Sequence, residues 1–362
     1  MIKNGEINVK QFGAYGDGEH DDGEKLKKAF SIGGTIFFPK SESFLTSVPI
    51  ATVENTIIKG NNSEIKLLDN TFRNVLFGSS HLTINDLIIT GTLNNKDETE
   101  TLENFTELWN NRKSEQLLSL FNVQHVVLQN CTFQQNISEG IKVSDSEDIT
   151  IKNCHFFKLD CGFISQGSNL KKCTIENCDF NGHIYSEPIS LYCTNGNIED
   201  IFILNNKINN KPHASGILIG YENINKTSIS NNIVIANNII KNTYGGISMY
   251  AAHNVNIENN IIIDSRVGMT LFNCKIVNIN NNIMKNLSNN AIALLDNADS
   301  INIIDNQIYE FEIVNDWGGA IQVVGKKGEQ ESIITNCSFI NNTIHTSKAR
   351  NQYKIRFSMY VY

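Results

Sequence analysis

Residues 138–163, SEGIKVSDSEDITIKNCHFFKLDCGF, contain one pattern twice. An acidic residue precedes a segment in which apolar and polar residues alternate, and a turn with a second alternating segment then leads to Asn153-Cys154. The pair Asn130-Cys131 lies 23 residues earlier in the same context. Alternation with period two is typical of β-strands, whose successive side chains point to opposite faces. The stretch therefore predicts a repeat built from strands.

The repeat continues along the chain as strand-turn segments with Asn or Asp at the turn. The segments are VVLQNCTF, ITIKNCHF, CTIENCDF, IFILNNKI, IVIANNII, VNIENNII, VNINNNIM, INIIDNQI and IITNCSFI. Their turn residues are Asn130, Asn153, Asn177, Asn205, Asn237, Asn259, Asn281, Asp305 and Asn336. Successive turns lie 23, 24, 28, 32, 22, 22, 24 and 31 residues apart. A constant minimum with additions indicates a solenoid whose coils carry loops of different length.

A further alternating segment, such as GISMY or GMTLF, lies between successive turns and gives each coil three strands. We predict an all-β fold: a single-stranded right-handed parallel β-helix of about ten coils with a short N-terminal capping helix. Asn tolerates the left-handed backbone region that a sharp turn requires, and stacked amides can hydrogen-bond along a column. We expect one such column to contain Asn153, Asn177, Asn205, Asn237, Asn259 and Asn281.

The alternation also predicts which side chains form the core. Inward positions of the third strands are Ile141, Val143, Phe163, Ile189, Leu191, Ile217, Ile219, Ile247, Met249, Met269, Leu271, Ile292 and Leu294. Lys142, Ser190 and Tyr250 should point outward. We expect a single domain over residues 1–362, with an N-terminal cap in 1–50, a long loop insertion in 92–120 and a C-terminal end segment in 346–362.

Composition limits the partners and the location. The formal net charge is −8, and no block of Lys and Arg is present, which argues against a nucleic-acid partner. No apolar run approaches the roughly 18 residues that span a bilayer, so no membrane insertion is expected. The first residues lack the pattern of a secretory signal, so we expect a cytoplasmic protein or a virion protein released by lysis.

We expect reduced core thiols at Cys131, Cys154, Cys178, Cys274 and Cys337.

The N-terminal segment INVKQFGAYGDGEHDDGEKLKKAF, residues 7–30, is followed by GGTIFFP at 33–39. It resembles the first segment of the pectate-lyase-like superfamily, in which an Asp- and Gly-rich stretch, a helix and a Gly-Gly-x-x-x-x-Pro motif succeed one another. The resemblance implies a parallel β-helix. Physically, Asp21 or Asp22 can N-cap a helix that carries Leu26, Ala29 and Phe30 on one face and covers the open end of the solenoid.

Residues 138–192 are similar to the catalytic stretch of polygalacturonase-type glycoside hydrolases. The matching segments here are ISEGIK, KLDCGFI and NGHIYSEPISL. By position, the resemblance implies that Glu139 and Asp160 are catalytic carboxylates and that His183 assists. This sequence departs from the family pattern because Glu139 stands for an Asp, Leu159 for one of two paired acids, and Ile184 for a Gly.

The repeat itself also aligns polar and aromatic side chains. The residues that precede the third strands are Glu139, Asp160, Glu187, His213, Tyr244, Arg266, Asn290 and Trp317. Carboxylates move protons at a glycosidic oxygen, and aromatic rings stack on pyranose faces. We therefore predict the catalytic residues Asp160, Glu139, His183 and Glu187. The predicted substrate-binding residues are Lys142, Tyr192, His213, Tyr244, Tyr250, Arg266, Phe272 and Trp317.

These residues predict a carbohydrate-polymer-degrading hydrolase, with a phage-encoded polysaccharide depolymerase as one form. The spacing of coils does not choose between a retaining and an inverting mechanism. One alternative is a polysaccharide lyase with Lys142 or Arg266 as the base, for which Ca²⁺ would be expected; otherwise we expect no metal and no cofactor. The other alternative is a glycan-binding adhesin without catalysis. The expected partner is a polysaccharide, and the protein is expected to be a monomer or a homotrimer.

Overall fold

The computed structural model describes residues 5–68, 74–93, 106, 116–167, 169–182, 185–192, 196–210, 213–220, 229–311, 320–324 and 334–345. Two compact units make up the chain, Met1–Ser186 and Glu187–Tyr362. The expectation of a single domain stays a prediction. Most of the predicted loop at 92–120 and the whole end segment at 346–362 lie outside the described residues.

The described residues of the first unit include a 3₁₀-helix at Val9–Phe12 and an α-helix, α1, at Gly23–Phe30. Its strands are β1 Glu6–Asn8, β2 Asp17–Asp21, β3 Gly34–Phe37, β4 Ser43–Thr46, β5 Ile50–Ala51, β6 Thr56–Leu67, β7 Leu76–Gly78, β8 Leu82–Thr90, β9 Leu118–Phe121, β10 Gln124–Gln129, β11 Thr132–Ser144, β12 Ser146–Lys152, β13 His155–Ser165, β14 Leu170–Glu176 and β15 Asp179–Asn181. The strands of the second unit are β16 Ile189–Leu191, β17 Asn197–Leu204, β18 Lys207–Asn209, β19 Ile217–Ile219, β20 Ile229–Ala236, β21 Ile239–Lys241, β22 Gly245–Tyr250, β23 Ala252–Glu258, β24 Ile261–Ile263, β25 Val267–Phe272, β26 Lys275–Asn280, β27 Ile283–Leu287, β28 Ile292–Leu295, β29 Ala298–Ile304, β30 Gln307–Phe311, β31 Ile321–Val324, β32 Ile334–Thr335, β33 Ser338–Ile340 and β34 Thr343–His345.

Three parallel ladders build the second unit. β20, β23, β26 and β29 pair in order, as do β21, β24, β27 and β30, and β22, β25, β28 and β31. In the first ladder Ile233, Val255, Val277 and Ile301 are equivalent. These residues are separated by the spacing that the turns predicted, so the all-β parallel β-helix with three strands per coil is confirmed.

In the first unit two strands of a coil merge into one long bent strand. β11 and β13 pair in parallel and each bends at a left-handed residue, Gln135 with φ 57° and Lys158 with φ 50°. The core prediction is confirmed, because every third-strand residue expected inside is buried. Ser190 differs from the prediction, since it is also buried, with 3% of its surface exposed.

At each turn an Asn and the residue that follows it have different tasks. The Asn adopts the left-handed region, with φ between 53° and 58° at Asn153, Asn177, Asn205, Asn237, Asn259 and Asn281. In the second unit the following Asn is buried and forms the amide ladder: Asn238 Nδ2 donates to Asn260 Oδ1 at 3.0 Å, and Asn260 Nδ2 donates to Asn282 Oδ1 at 3.0 Å. The left-handed turns are thus as predicted, but in this unit the ladder lies one residue later, where the side chain points inward.

Cysteines hold the corresponding inward positions in the first unit. Cys131, Cys154 and Cys178 are buried and unpaired by disulfides, and the backbone N–H of Cys154 donates to Cys178 Sγ at 3.4 Å. The hydrogen bond with Cys154 and burial raise the pKa of the Cys131 thiol well above its ordinary value. Cys131, Cys154 and Cys178 are therefore buried, as predicted for these residues and for Cys274, whereas Cys337 is only half-buried.

The predicted N-terminal helix is present as α1, with Leu26, Ala29 and Phe30 buried. Asp22 is its N-cap residue but does not cap it with its side chain. Instead, the fully buried Asp22 carboxylate accepts hydrogen bonds from the backbone N–H groups of Tyr15 and Gly16, at 2.7 and 2.8 Å. Asp22 therefore holds the turn in front of the helix, while Asp21 Oδ1 accepts from the backbone N–H of Gly23, the first residue of α1, at 2.9 Å.

Candidate functional site

Glu139 lies in β11 at the point where its register with β13 shifts, between Asn136 and Glu139. Its Oε2 atom accepts hydrogen bonds from Gln116 Nε2, at 3.2 Å, and from Ser138 Oγ. Asn136 is fully buried, and its Nδ2 donates to the Glu139 carbonyl at 3.0 Å. The half-buried carboxylate is thus held at one oxygen and on a fixed piece of backbone.

Asp160 lies in β13 and is buried, with 5% of its surface exposed. Its Oδ1 accepts from the backbone N–H of Ser186 at 3.0 Å, and its Oδ2 accepts from Ser186 Oγ at 3.0 Å. Burying a charged carboxylate is costly unless hydrogen bonds compensate it. One residue therefore supplies a donor to each oxygen of this carboxylate and fixes its plane.

The two carboxylates come from neighbouring strands. Glu139 is in register with Cys161, the residue after Asp160. Parallel strands lie about 4.8 Å apart, so the backbones that carry Glu139 and Asp160 are adjacent in the first unit. His183, the third residue of the predicted catalytic group, lies outside the described residues.

Glu187 is the first residue of the second unit. Burial raises the pKa of its carboxyl above the ordinary value for glutamate. A carboxyl with a raised pKa keeps its proton at higher pH, which is the property required of a general acid. Glu187 therefore has the electrostatic property that a general acid requires.

Tyr244 and Arg266 form an exposed pair at the start of β22 and β25. The Arg266 guanidinium carbon lies 4.7 Å from the centroid of the Tyr244 ring, a cation–π arrangement. At the other end of the same strands the Tyr250 and Phe272 rings stack, with centroids 5.1 Å apart and planes 10° apart. The second unit thus presents aromatic side chains at both ends of one pair of strands.

The predicted column is interrupted at three places: in the first unit Glu139 faces Cys161 rather than Asp160, and two further shifts lie in the second unit. Ile217 pairs with Ile247, and the backbone N–H of Tyr244 donates to the Ala214 carbonyl at 3.0 Å, so Tyr244 faces Ala214 rather than His213. Asn290 is buried, and its Nδ2 donates to Gln322 Oε1 at 2.6 Å. The loops before these strands differ in length between coils. The sequence alone therefore does not show which of their residues face each other.

The other predicted contacts are scattered along both units. Lys142 is half-buried in β11, opposite Ser119 of β9, and Tyr192 is half-buried after β16. His213 is exposed, and Trp317 lies outside the described residues. In the part of the chain that the structure describes, no group of three or more His, Cys, Asp or Glu side chains is arranged to hold a metal ion.

Sequence reasoning missed the three residues that hold the carboxylates, Gln116, Ser138 and Ser186. Ser138 adjoins Glu139 in the chain and could have been found from that proximity. Gln116 and Ser186 are brought in by the fold and precede the third strands of their own coils, where no motif marks them.

Two family models match the chain in succession. Residues 6–179 match the family "Rhamnogalacturonase A/epimerase, pectate lyase-like", and residues 189–344 match "Right handed beta helix region". The resemblance of the N-terminal motif to the pectate-lyase-like superfamily is thus confirmed by the match over residues 6–179, and the β-helix by the match over residues 189–344. Within the described residues, no helix is long and apolar enough to cross a membrane.

A curated relative is the preneck appendage protein of Bacillus phage PZA, 27% identical over 257 residues, which cover 68% of this chain and 27% of that protein. This chain thus spans little more than a quarter of the relative's length. Among solved structures, an exopolygalacturonase from Thermotoga maritima is similar with 16% identity, a TM-score of 0.62, and coverage of 95% of this chain and 93% of the other. PfbA, a surface adhesin of Streptococcus pneumoniae, has 15% identity, a TM-score of 0.62, and coverage of 90% and 93%. At these identities the solved structures show a shared fold.

Proposed function

We propose that the protein degrades a carbohydrate polymer by hydrolysis, with Asp160 and Glu139 as its catalytic carboxylates. The observation that carries the proposal is the pair itself: two carboxylates on adjacent strands, each held by hydrogen-bond donors from other residues. Hydrolysis of a glycosidic bond requires one group that protonates the leaving oxygen and a second that acts as base or nucleophile.

The hydrogen bonds suggest how the roles divide. Ser186 donates to both oxygens of Asp160, and such bonds stabilise a charged carboxylate. Both side-chain donors to Glu139 reach the same oxygen, Oε2, whereas the donors to Asp160 reach both of its oxygens. Asp160 then acts as base or nucleophile and Glu139 as acid, with His183 assisting. Glu187, whose pKa burial raises, is the alternative acid.

The sugar-binding role extends to the residues that the sequence singled out. Tyr244, Tyr250 and Phe272 offer ring surface for pyranoses, and Arg266 offers a fixed positive charge. Lys142, Tyr192, His213 and Trp317 complete the proposed set.

Two other functions use the same residues differently. A polysaccharide lyase would abstract a sugar proton with Lys142 or Arg266 and would call for Ca²⁺; Arg266 is poorly suited, because a guanidinium does not release its proton in proteins. A glycan-binding adhesin would use the aromatic surface without catalysis. The fold shared with PfbA, a surface adhesin, supports this alternative. The expectation of no cofactor for a hydrolase stays a prediction.

The similarity to a phage appendage protein supports a virion-associated polysaccharide depolymerase as the specific form of the proposal. A polysaccharide would then be the partner outside the chain. Whether the protein acts as a monomer or a homotrimer stays a prediction, as does a cytoplasmic location.

The variant Asp160→Asn tests the proposal. Asparagine keeps the size of the side chain but cannot accept or supply the proton, so turnover on a cleaved glycan should fall at least about a hundredfold while glycan binding persists. Asp179→Asn is the matched control, since Asp179 is a half-buried carboxylate on the nearby β15 with no proposed role. Wild-type turnover in Asp160→Asn would remove Asp160 from the mechanism and transfer the role to Glu187.

A further inference from the structure

A second cluster of titratable side chains lies at a corner of the first unit, apart from the two carboxylates. Leu82, Val126 and Ile149 are in register in β8, β10 and β12, so the residues before them, His81, His125 and Asp148, form one column. Their φ values are 55°, 57° and 59°. The shared left-handed backbone directs three consecutive side chains outward at the same corner.

The two imidazole rings of this column lie against each other. Their centroids are 4.8 Å apart and their planes differ by 30°. His125 Nδ1 lies 2.6 Å from Asp148 Oδ2, while both histidines are exposed. Among the described residues, neither ring nitrogen of His81 nor Nε2 of His125 has a hydrogen-bond partner. Three imidazole nitrogens thus face solvent on adjacent rings.

We propose that His81 and His125 form a two-imidazole site for a divalent first-row transition-metal ion such as Ni²⁺, Cu²⁺ or Zn²⁺, with water completing the coordination. Imidazole nitrogen is a preferred ligand of these ions. A carboxylate that accepts Nδ1–H fixes the tautomer with its lone pair on Nε2 and increases the basicity of that nitrogen. Asp148 holds His125 in this way and is therefore a positioning residue.

Binding requires the rings to rotate but not the backbone to move. Metal–nitrogen bonds of about 2.0–2.1 Å place two ligand nitrogens on one ion about 3 Å apart. The strand spacing of about 4.8 Å already brings the two side chains within that reach. Because both rings are exposed, they can open from their present tilt until both Nε2 atoms point at one ion. The ion would then link two consecutive coils of the first unit.

Calorimetric titration of the full, tag-free chain with Ni²⁺ near pH 7.5 tests this site. We expect one bound ion per chain in the wild type and in His155→Gln, which removes an exposed histidine of the same unit outside the column. His81→Gln and His125→Gln should each weaken binding at least tenfold, and Asp148→Asn about ten- to a hundredfold.

Two further readouts make the result decisive. The electron paramagnetic resonance spectrum of the Cu²⁺-loaded wild type should show two nitrogen ligands, and that of His81→Gln one. The exposed Gln variants should unfold like the wild type without metal. Binding that is absent in the wild type, or equally tight in His81→Gln and His125→Gln, overturns the proposal. Neither outcome depends on hydrolysis, so this proposal and the proposed function can fail separately.

Discussion

The buried amide ladder of the second unit should contribute strongly to stability, and Asn260→Ala measures how much. The side chain of Asn260 takes part in four hydrogen bonds. Its Oδ1 accepts from the N–H and Nδ2 of Asn238 at 2.9 and 3.0 Å, and its Nδ2 donates to the Ile235 carbonyl at 2.8 Å and to Asn282 Oδ1 at 3.0 Å. A net value of about 1 kcal/mol for each gives a loss of about 4 kcal/mol in the free energy of unfolding.

The neighbouring Asn259 provides the control. It has φ 55° and an exposed side chain, and glycine adopts that backbone region without strain, so Asn259→Gly should change the free energy of unfolding by no more than about 0.5 kcal/mol. Both variants and the wild type would be compared by equilibrium denaturation in guanidinium chloride, with circular dichroism and tryptophan fluorescence as separate probes. Equal stability of Asn260→Ala and Asn259→Gly would refute the division of tasks between the two asparagines.

Three further predictions concern the core, the pH dependence and the sugar surface. Ile247→Ala should lower the free energy of unfolding by about 2–5 kcal/mol in a denaturation series, because Ile247 is fully buried; a loss below 1 kcal/mol would contradict its place in the core. Burial raises the pKa of Glu187, so its ionisation destabilises the fold as pH rises through that raised pKa. Glu187→Gln should therefore raise the melting temperature more at pH 8 than at pH 4. An equal change at both pH values would contradict a raised pKa of Glu187. Phe272→Ala should raise KM for a long glycan at least several-fold, since it removes one ring of the stack with Tyr250. The control Phe157→Ala, at an exposed ring of the first unit, should leave KM unchanged. Equal changes of KM in the two variants would argue against a sugar surface at β22 and β25.

The strand repeat could be predicted because its two signals are local. Period-two alternation fixes which side of a strand is buried, and Asn at a sharp turn reflects a backbone preference of that residue. Ile217, Ile247 and Met269 therefore lie where the pattern placed them. Burial of Cys131 was predicted, but burial of Asn238 at the corresponding position of the second unit was not. A thiol and an amide can both donate to a strand carbonyl at a buried turn, so an amide can take the place of the thiol there.

The candidate site was harder to predict from the sequence than the fold. Glu139 and Asp160 could be singled out by their place before a strand, but their hydrogen-bond donors could not. Ser186 reaches Asp160 across 26 positions, and Gln116 reaches Glu139 across 23. Loops of unequal length shift the alignment of residues that precede a strand, which is why His213 does not face Tyr244. Which residues face each other there depends on the register of the strands in the folded protein.

Cleavage of a glycan is the central claim, and a depolymerisation screen with mass analysis of the products tests it most directly. The wild type, Asp160→Asn and Asp179→Asn would be incubated with a panel of bacterial and plant polysaccharides, with ultraviolet absorbance recorded in parallel. We predict products heavier by one water per cleaved bond from the wild type and Asp179→Asn, without an unsaturated chromophore, and at least about a hundredfold less product from Asp160→Asn. Ultraviolet-absorbing products would show a lyase instead, and tight binding without any product on every glycan would contradict the assignment of an enzyme.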